Sequence, residues 1–403
     1  MPTKIDAARR SVSLDPRDPE FFNHPYPAYH AIRAKAPIFK WEQYGYWCFA
    51  RHEDVSALLR DRRFGRQVLH VMSREELGWP AIPDLLKPFY AFEEHSLLEN
   101  EPPVHTRLRT LVNRAFLSRQ VERLRARIEG LANELIDGFA AEKESDLIAG
   151  FATPIPVTVI AELLGVRSDM TSQLLEWSHD MVAMYQARRD GEIERKAVAA
   201  TIEFSDFMRA HVKERRPGPR EDLLSQLIAA EAEGSRLSED ELITTAILLL
   251  NAGHEATVHA IGNGVKALLE RYTDNIGAGE IEEALRFDAP LHLFTRYALE
   301  NVEIAGIHLK KGETVGLLLG AANRDPARFR EPDRFDPSRA PNPHVSFGAG
   351  IHFCVGAPLA RLELKVALPI LFRRLPGLKI ASPLRYRDSY HFHGLEALHL
   401  AWR

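Results

Sequence analysis

The stretch HVSFGAGIHFCVGAPLARLELKVALPILFRRL, residues 344–375, decides how this chain is read. Gly348, Gly350 and Gly356 bracket Cys354, and an amphipathic helical pattern follows over Leu359–Leu375. Glycine tolerates positive φ and allows a flat ligand to come close to the backbone. A thiolate just ahead of a helix gains from free backbone N–H groups and the helix dipole. One such thiolate can serve as the axial ligand of a haem iron. A lone cysteine is more simply a small buried hydrophobe. The spacing F-G-x-G-x-H-x-C-x-G-x-x-L-A-R demands far more than that. A dinucleotide-binding reading fails, because no glycine follows Gly350 at the required offset.

Outward from this loop the chain reads as mainly α with small β-sheets. Ser238 and Glu241 form an S-x-x-E capping box. The chain is free of proline from Glu239 to Tyr272, enough for roughly 50 Å of helix. Short amphipathic helices are predicted over 26–36 and 53–61, a hairpin over 37–50, and helices with breaks through 104–143 and 154–214. Residues 66–103 carry five prolines and many apolar side chains, and read as an irregular loop facing substrate. After residue 300, β-like pieces (VEIAGIHL, ETVGLLLGA) lead into a proline-rich stretch that cannot be regular helix.

Composition narrows the function classes. The chain has 403 residues, 45% apolar and 27% charged, as in ordinary globular proteins. Its 52 Lys+Arg and 56 Asp+Glu give a net charge of −4, with no basic excess to attract nucleic acid. The N-terminus lacks an apolar h-region and no apolar run approaches the ~20 residues of a membrane span, so a cytoplasmic protein is expected. Two cysteines, Cys48 and Cys354, exclude a disulfide framework and a zinc site built on several thiolates.

The cysteine segment resembles the haem-binding signature of the cytochrome P-450 superfamily, the haem-thiolate monooxygenases, and the resemblance covers nearly the whole chain. It implies one haem domain over 1–403, haem b as cofactor, Cys354 as iron ligand, Phe347 near the sulfur, Gly356 beside it, and His352 on a haem propionate. PPVHTRLR (102–109) and FTRYA supply His105, Arg109 and Arg296 as further propionate partners, because a dianion needs cationic donors. EEALRF, followed by ANRDP and FDPSR, resembles the family's structural triad: Glu283, Arg286 and Arg339.

LLLNAGHEATVHAIGNG (248–264) corresponds to the distal oxygen-binding segment. A zinc-hydrolase reading fails here, because His254 and His259 are five residues apart, about 140° around a helix. The resemblance implies that Ala252 and Gly253 leave room over the haem and let the helix kink. It makes Glu255 the acid that relays protons. The family's usual threonine after this acid is Ala256 here. Thr257 follows, rotated by ~100°. Either another donor, such as substrate, water or His254, substitutes, or the position is an engineered substitution, or oxygen activation is intrinsically uncoupled.

The implied activity is insertion of one oxygen atom from O₂ into a small to medium hydrophobic substrate. A separate ferredoxin- or flavodoxin-type donor supplies the electrons, and the protein is expected to be a monomer. Arg107, Arg114, Arg361 and Lys365 are candidate docking contacts. Expected pocket walls are Phe89, Phe92, Leu249, Leu291, His292, Leu293, Phe294 and Phe392. His95, His292 and His393 could anchor a polar end, although a surface position is the simpler expectation for each. The departure at Ala256 keeps two alternatives open: a ligand-binding or recruitment protein without turnover, and a peroxide-driven oxygenase.

Overall fold

The computed structural model describes residues 3–115, 121–185, 189–232, 235–271 and 276–403. Its longest helix, Glu239–Arg271, is buried along most of its length. The expected capping box is formed. The Ser238 N–H donates to the Glu241 carboxylate at 2.8 Å, and the Glu241 N–H donates to the Ser238 hydroxyl at 3.2 Å. Tyr272 lies outside the described residues. The long helix packs against Pro154–Leu163, Gly191–Arg215, Ala278–Phe287 and the post-cysteine helix Ala357–Arg374. Their apolar faces merge into one large core, in which each buried Leu, Ile or Phe contributes roughly 1.5–3 kcal/mol.

The hairpin is Ile38–Trp41 paired antiparallel with Tyr46–Phe49. It extends into a seven-stranded sheet. Thr314–Leu318 lies parallel to Tyr46–Phe49 and antiparallel to Leu293–Ala298, which sets Arg296 opposite Val315. A side chain at Gly316 would collide with the Cys48 sulfur at 2.6 Å. Cys48 is thus sheet packing, fully buried, and burial pushes its thiol pKa up.

Helices Pro25–Lys35 and His52–Leu58 occur where the periodicity predicts them. Two readings change. The stretch 66–103 is not all loop: a 3₁₀ turn at Asp84–Leu86 leads into a helix, Lys87–Glu93. Pro88 is tolerated there because it sits in the first turn, where an N–H has no intrahelical partner. The strand predicted in ETVGLLLGA ends at Leu318, and Leu319–Ala322 is a helical turn. Among the described residues no helix is long and apolar enough to cross a membrane.

Candidate functional site

The cysteine loop owes its shape to two glycines. Gly348 and Gly350 have φ of +68° and +72°, where a Cβ is strained. A Cβ on Gly350 would also meet the Leu59 carbonyl oxygen at 2.3 Å. Gly356 has a φ of −80°, and a Cβ there would sit 3.8 Å from the Cys354 sulfur, in ordinary contact, so neither a left-handed turn nor room beside the sulfur requires glycine at this position. The Cys354 N–H donates to the Phe347 carbonyl at 3.0 Å, which closes the loop. Cys354 is exposed, yet enough protein surrounds the sulfur that burial pushes its pKa up. The amides of Gly356 and Ala357, and the Arg109 guanidinium, oppose that rise. The Phe347 ring lies under Arg361, whose guanidinium carbon is 4.4 Å from the ring centre.

Around the loop the structure gathers the predicted basic residues. His105 is buried, packs at a tilt against His352 with ring centres 4.3 Å apart, and leaves its Nδ1 without a partner. Burial, with His352 nearby, lowers the His105 pKa to about 4. His352 Nε2 lies 3.0 Å from Glu101, a buried carboxylate that the sequence reading missed. Its short hydrogen bond from the Arg66 amide (2.5 Å) ties this cluster to the loop after the sheet. Arg296 is 3% exposed, donates only to the Thr295 carbonyl, and forms no ion pair among the described residues. Burial lowers its pKa to about 10. Arg109 likewise forms no ion pair among the described residues.

E-x-x-R is not a surface pair. Glu283 and Arg286 are both fully buried and joined by two hydrogen bonds, 2.6 and 2.8 Å. Arg286 also donates to the carbonyls of Asn323, Pro332 and Arg334. Glu283 further accepts from the Asp336 amide and the Asn342 side chain, and Arg339 approaches at 3.4 Å.

On the long helix, Ala252 lines a cavity of about 350 Å³. Gly253 is not part of its lining: a Cβ there would sit 3.7 Å from Ile160, in ordinary contact with Pro154–Leu163. The helix is continuous through Gly253. The Thr257 hydroxyl donates to the Gly253 carbonyl at 3.0 Å and is committed to the backbone. Glu255 is ringed by His254 (3.4 Å), His259 (3.4 Å), Arg387 (3.5 Å) and His179 (3.6 Å). Burial alone would raise its pKa, but these neighbours hold it well below the usual carboxylate range. Burial also lowers the pKa of His179 and His259. Glu255 is therefore held as an ionised carboxylate.

Of the predicted walls, Phe92, Leu293 and Phe392 line the cavity. Leu248 takes the place of Leu249, which turns into the core. Phe89 packs with Met184 and Val198. Leu291 bridges to Phe392, and Phe294 packs near Gly348. His292 and His393 are buried, not at the surface: His292 Nδ1 meets the Tyr29 hydroxyl at 2.8 Å and His393 meets Asp288 at 3.2 Å. His95 is half-buried and lies outside the cavity wall. The wall is also more polar than expected. Glu93 accepts from the Tyr185 hydroxyl at 2.7 Å, and burial, with Glu99 nearby, pushes its pKa up to about 8. Of the docking candidates, Arg107 is paired with Glu241 and Arg361 with Glu282; Arg114 and Lys365 lie at exposed positions.

A helical body with a glycine-shaped cysteine loop on one side and a cavity under a long helix on the other defines a haem-thiolate oxygenase. The sequence profile described as Cytochrome P450 matches residues 66–273 and 279–376, and the chain belongs to that family. It is 35% identical to the polyketide biosynthesis cytochrome P450 PksS of Bacillus subtilis, over 96% of this chain and 98% of that one. It is 41% identical to cytochrome P450 107B1 of Saccharopolyspora erythraea, over 87% and 88%. The crystal structure of P450BioI in complex with hexadec-9Z-enoic acid-ligated acyl carrier protein superposes with a TM-score of 0.88 at 34% identity, covering 95% of this chain and all of that one. Membership makes the protein an oxidoreductase of the monooxygenase class with haem b as its cofactor.

The residues present fit that group. The unpartnered Nδ1 of buried His105 and the unpaired buried guanidinium of Arg296 are what a propionate would satisfy. The amides at Cys354 suit a thiolate.

Proposed function

We propose that the protein inserts one oxygen atom from O₂ into a small to medium hydrophobic substrate, with electrons from a separate ferredoxin- or flavodoxin-type donor. The whole chain works as one haem domain. Haem, when bound, supplies the oxygen-activating chemistry. Cys354 holds its iron, helped by the Gly356 and Ala357 amides, and Phe347 and Arg361 cover that loop. Arg109 and Arg296 hold the propionates through charge-assisted hydrogen bonds, and His105 and His352 add ring N–H donors. Glu283, Arg286 and Arg339 tie the helix before the cysteine loop to the segment leading into it. Arg114 and Lys365 offer exposed positive charge to an electron donor. Phe92, Leu248, Leu293 and Phe392 exclude water from the bound substrate. Glu255 passes protons on rather than storing one. With Ala256 bearing no hydroxyl and Thr257 spent on Gly253, the substrate or a water supplies the last hydrogen bond.

The observation that carries this reading is Cys354, whose sulfur lies by the Gly356 and Ala357 amides and the Arg109 guanidinium, together with the buried His105 Nδ1 that has no partner. Purified protein should show the red-shifted Soret band of thiolate ligation in its reduced CO complex. Cys354→Ala should abolish that band and Cys48→Ala should leave it in place. Retention of the band in Cys354→Ala sinks the assignment. Ala256 favours a second reading, peroxide-driven oxygenation. Product yield with an electron donor plus O₂, set against yield with peroxide alone, separates the two. No product by either route points to a binding protein.

A further inference from the structure

His179, His254 and Glu255 place three ligand atoms within 4.8 Å of one another. The Glu255 carboxylate is divided between two neighbourhoods. Its Oε1 faces His259 and Arg387, and its Oε2 faces His254 and His179. The His254 tautomer follows from geometry: Nδ1 lies 3.0 Å from the Leu250 carbonyl, so Nδ1 carries the proton and donates. With His254 neutral, its Nε2 is a bare lone pair, on a side chain 1% exposed, with no hydrogen-bond partner. It is aimed at a carboxylate oxygen 3.4 Å away, which is also a lone pair. Two acceptors face each other inside the protein, and a third, His179, stands at the rim with half its side chain in solvent.

Such a facing set is satisfied by a proton on the imidazole or by a metal cation between its members. The spacing suits a small divalent metal. Ligand bonds of about 2.1 Å in a tetrahedral site set ligand atoms about 3.4 Å apart, against 3.4 and 3.6 Å here. A metal-bound histidine also commonly donates its other N–H to a backbone carbonyl, as His254 does to Leu250. In the second His–carboxylate cluster, Asp288, His292 and His393, the His292 Nε2 is likewise unpartnered, but Tyr26, Tyr386 and Lys266 already satisfy the Asp288 carboxylate.

We propose that His179, His254 and Glu255 form a binding site for one zinc-class divalent cation at the solvent edge of the long helix, with a water as fourth ligand. An occupied site would hold Glu255 out of proton transfer and slow turnover. That consequence rests on the oxygenase reading, and the site itself does not.

The test measures binding directly. Haem-loaded protein, stripped with a chelator, is dialysed to equilibrium against micromolar zinc, and metal is counted per chain by mass spectrometry. Wild type should hold one zinc that Glu255→Gln and His179→Gln do not. Losing a supporting partner of a metal ligand costs about 10–100-fold in affinity, so losing a ligand should cost at least that. His179 is half-exposed, so its replacement leaves the fold intact, which the reduced CO spectrum checks. Wild type that takes up no zinc overturns the proposal, as does either variant binding as wild type does. In those cases a proton on the imidazoles bridges the lone pairs.

Discussion

Two buried glutamates, Glu283 and Glu255, stand in opposite kinds of surroundings. Glu283 is saturated: Arg286 grips both oxygens, the Asp336 amide and Asn342 take the remaining lone pairs, and Arg339 adds charge. Glu255 is surrounded by four basic side chains, all at 3.4–3.6 Å and none in a full hydrogen bond. A saturated carboxylate fixes structure, because moving it breaks several strong bonds at once. An encircled but loosely held one can exchange partners. The first therefore belongs to assembly and the second to traffic of protons or cations.

Replacing each glutamate separates the two cases most sharply. Glu283→Ala leaves the Arg286 charge buried and unpaired, a loss of about 3–5 kcal/mol. Little or no haem-loaded protein should be recovered. A normal haem content and melting temperature would erase the distinction from one side. Glu255→Gln should fold and load haem, yet slow O₂-driven turnover by about 10²–10⁴-fold, the usual worth of a proton-transfer group. Full activity in Glu255→Gln would erase it from the other side.

The difference was only half legible in the sequence. Glu283, Arg286 and Arg339 could be named because the neighbouring ANRDP and FDPSR segments fix their context. The capping box and the cysteine loop were legible for the same reason, since each is a local pattern with a local cause. The ring around Glu255 was not. His179 and Arg387 lie far from it in sequence, and only the packing of Thr171–Val182 and the C-terminal segment brings them in. Helical phase also went unread at single-residue precision. Leu249 was assigned to the cavity that Leu248 lines, and Gly253 to space that Ala252 borders. Burial of His292 and His393 depends on Tyr29 and Asp288, which come from two other parts of the chain.

A milder substitution sharpens the contrast on the distal side. Ala256→Thr places a hydroxyl next to Glu255 without touching the Glu283 cluster. The ratio of product formed to reducing equivalents consumed should rise, and hydrogen peroxide release should fall, with a tight-binding substrate. Peroxide-driven activity should change less than the O₂-driven route improves. A wild type already well coupled, made worse by Ala256→Thr, would show that substrate or ordered water fills the place of the hydroxyl.

Glu93 provides the smallest and most finely graded test, because in its case burial prevails over pairing. Burial and the nearby Glu99 push its pKa up to about 8, despite the Tyr185 hydrogen bond and Arg66. Its folded-state value lies above its ordinary value, so the fold favours the protonated form. Relative to a Gln in its place, the wild-type side chain therefore costs nothing at pH below about 4. The cost grows as pH rises from the ordinary carboxylate range and levels off above about pH 8. Glu93→Gln should raise the melting temperature at pH 8 more than at pH 5. The cavity wall should respond in the same window: wild type should bind an apolar ligand more weakly as pH passes 8 and a charge appears in the wall. Glu93→Gln should flatten that dependence, read from the ligand-induced shift of the Soret band. A pH profile identical in wild type and Glu93→Gln would mean that Glu93 is ionised throughout, and that Arg66, with Tyr185, pairs it as firmly as Arg286 pairs Glu283.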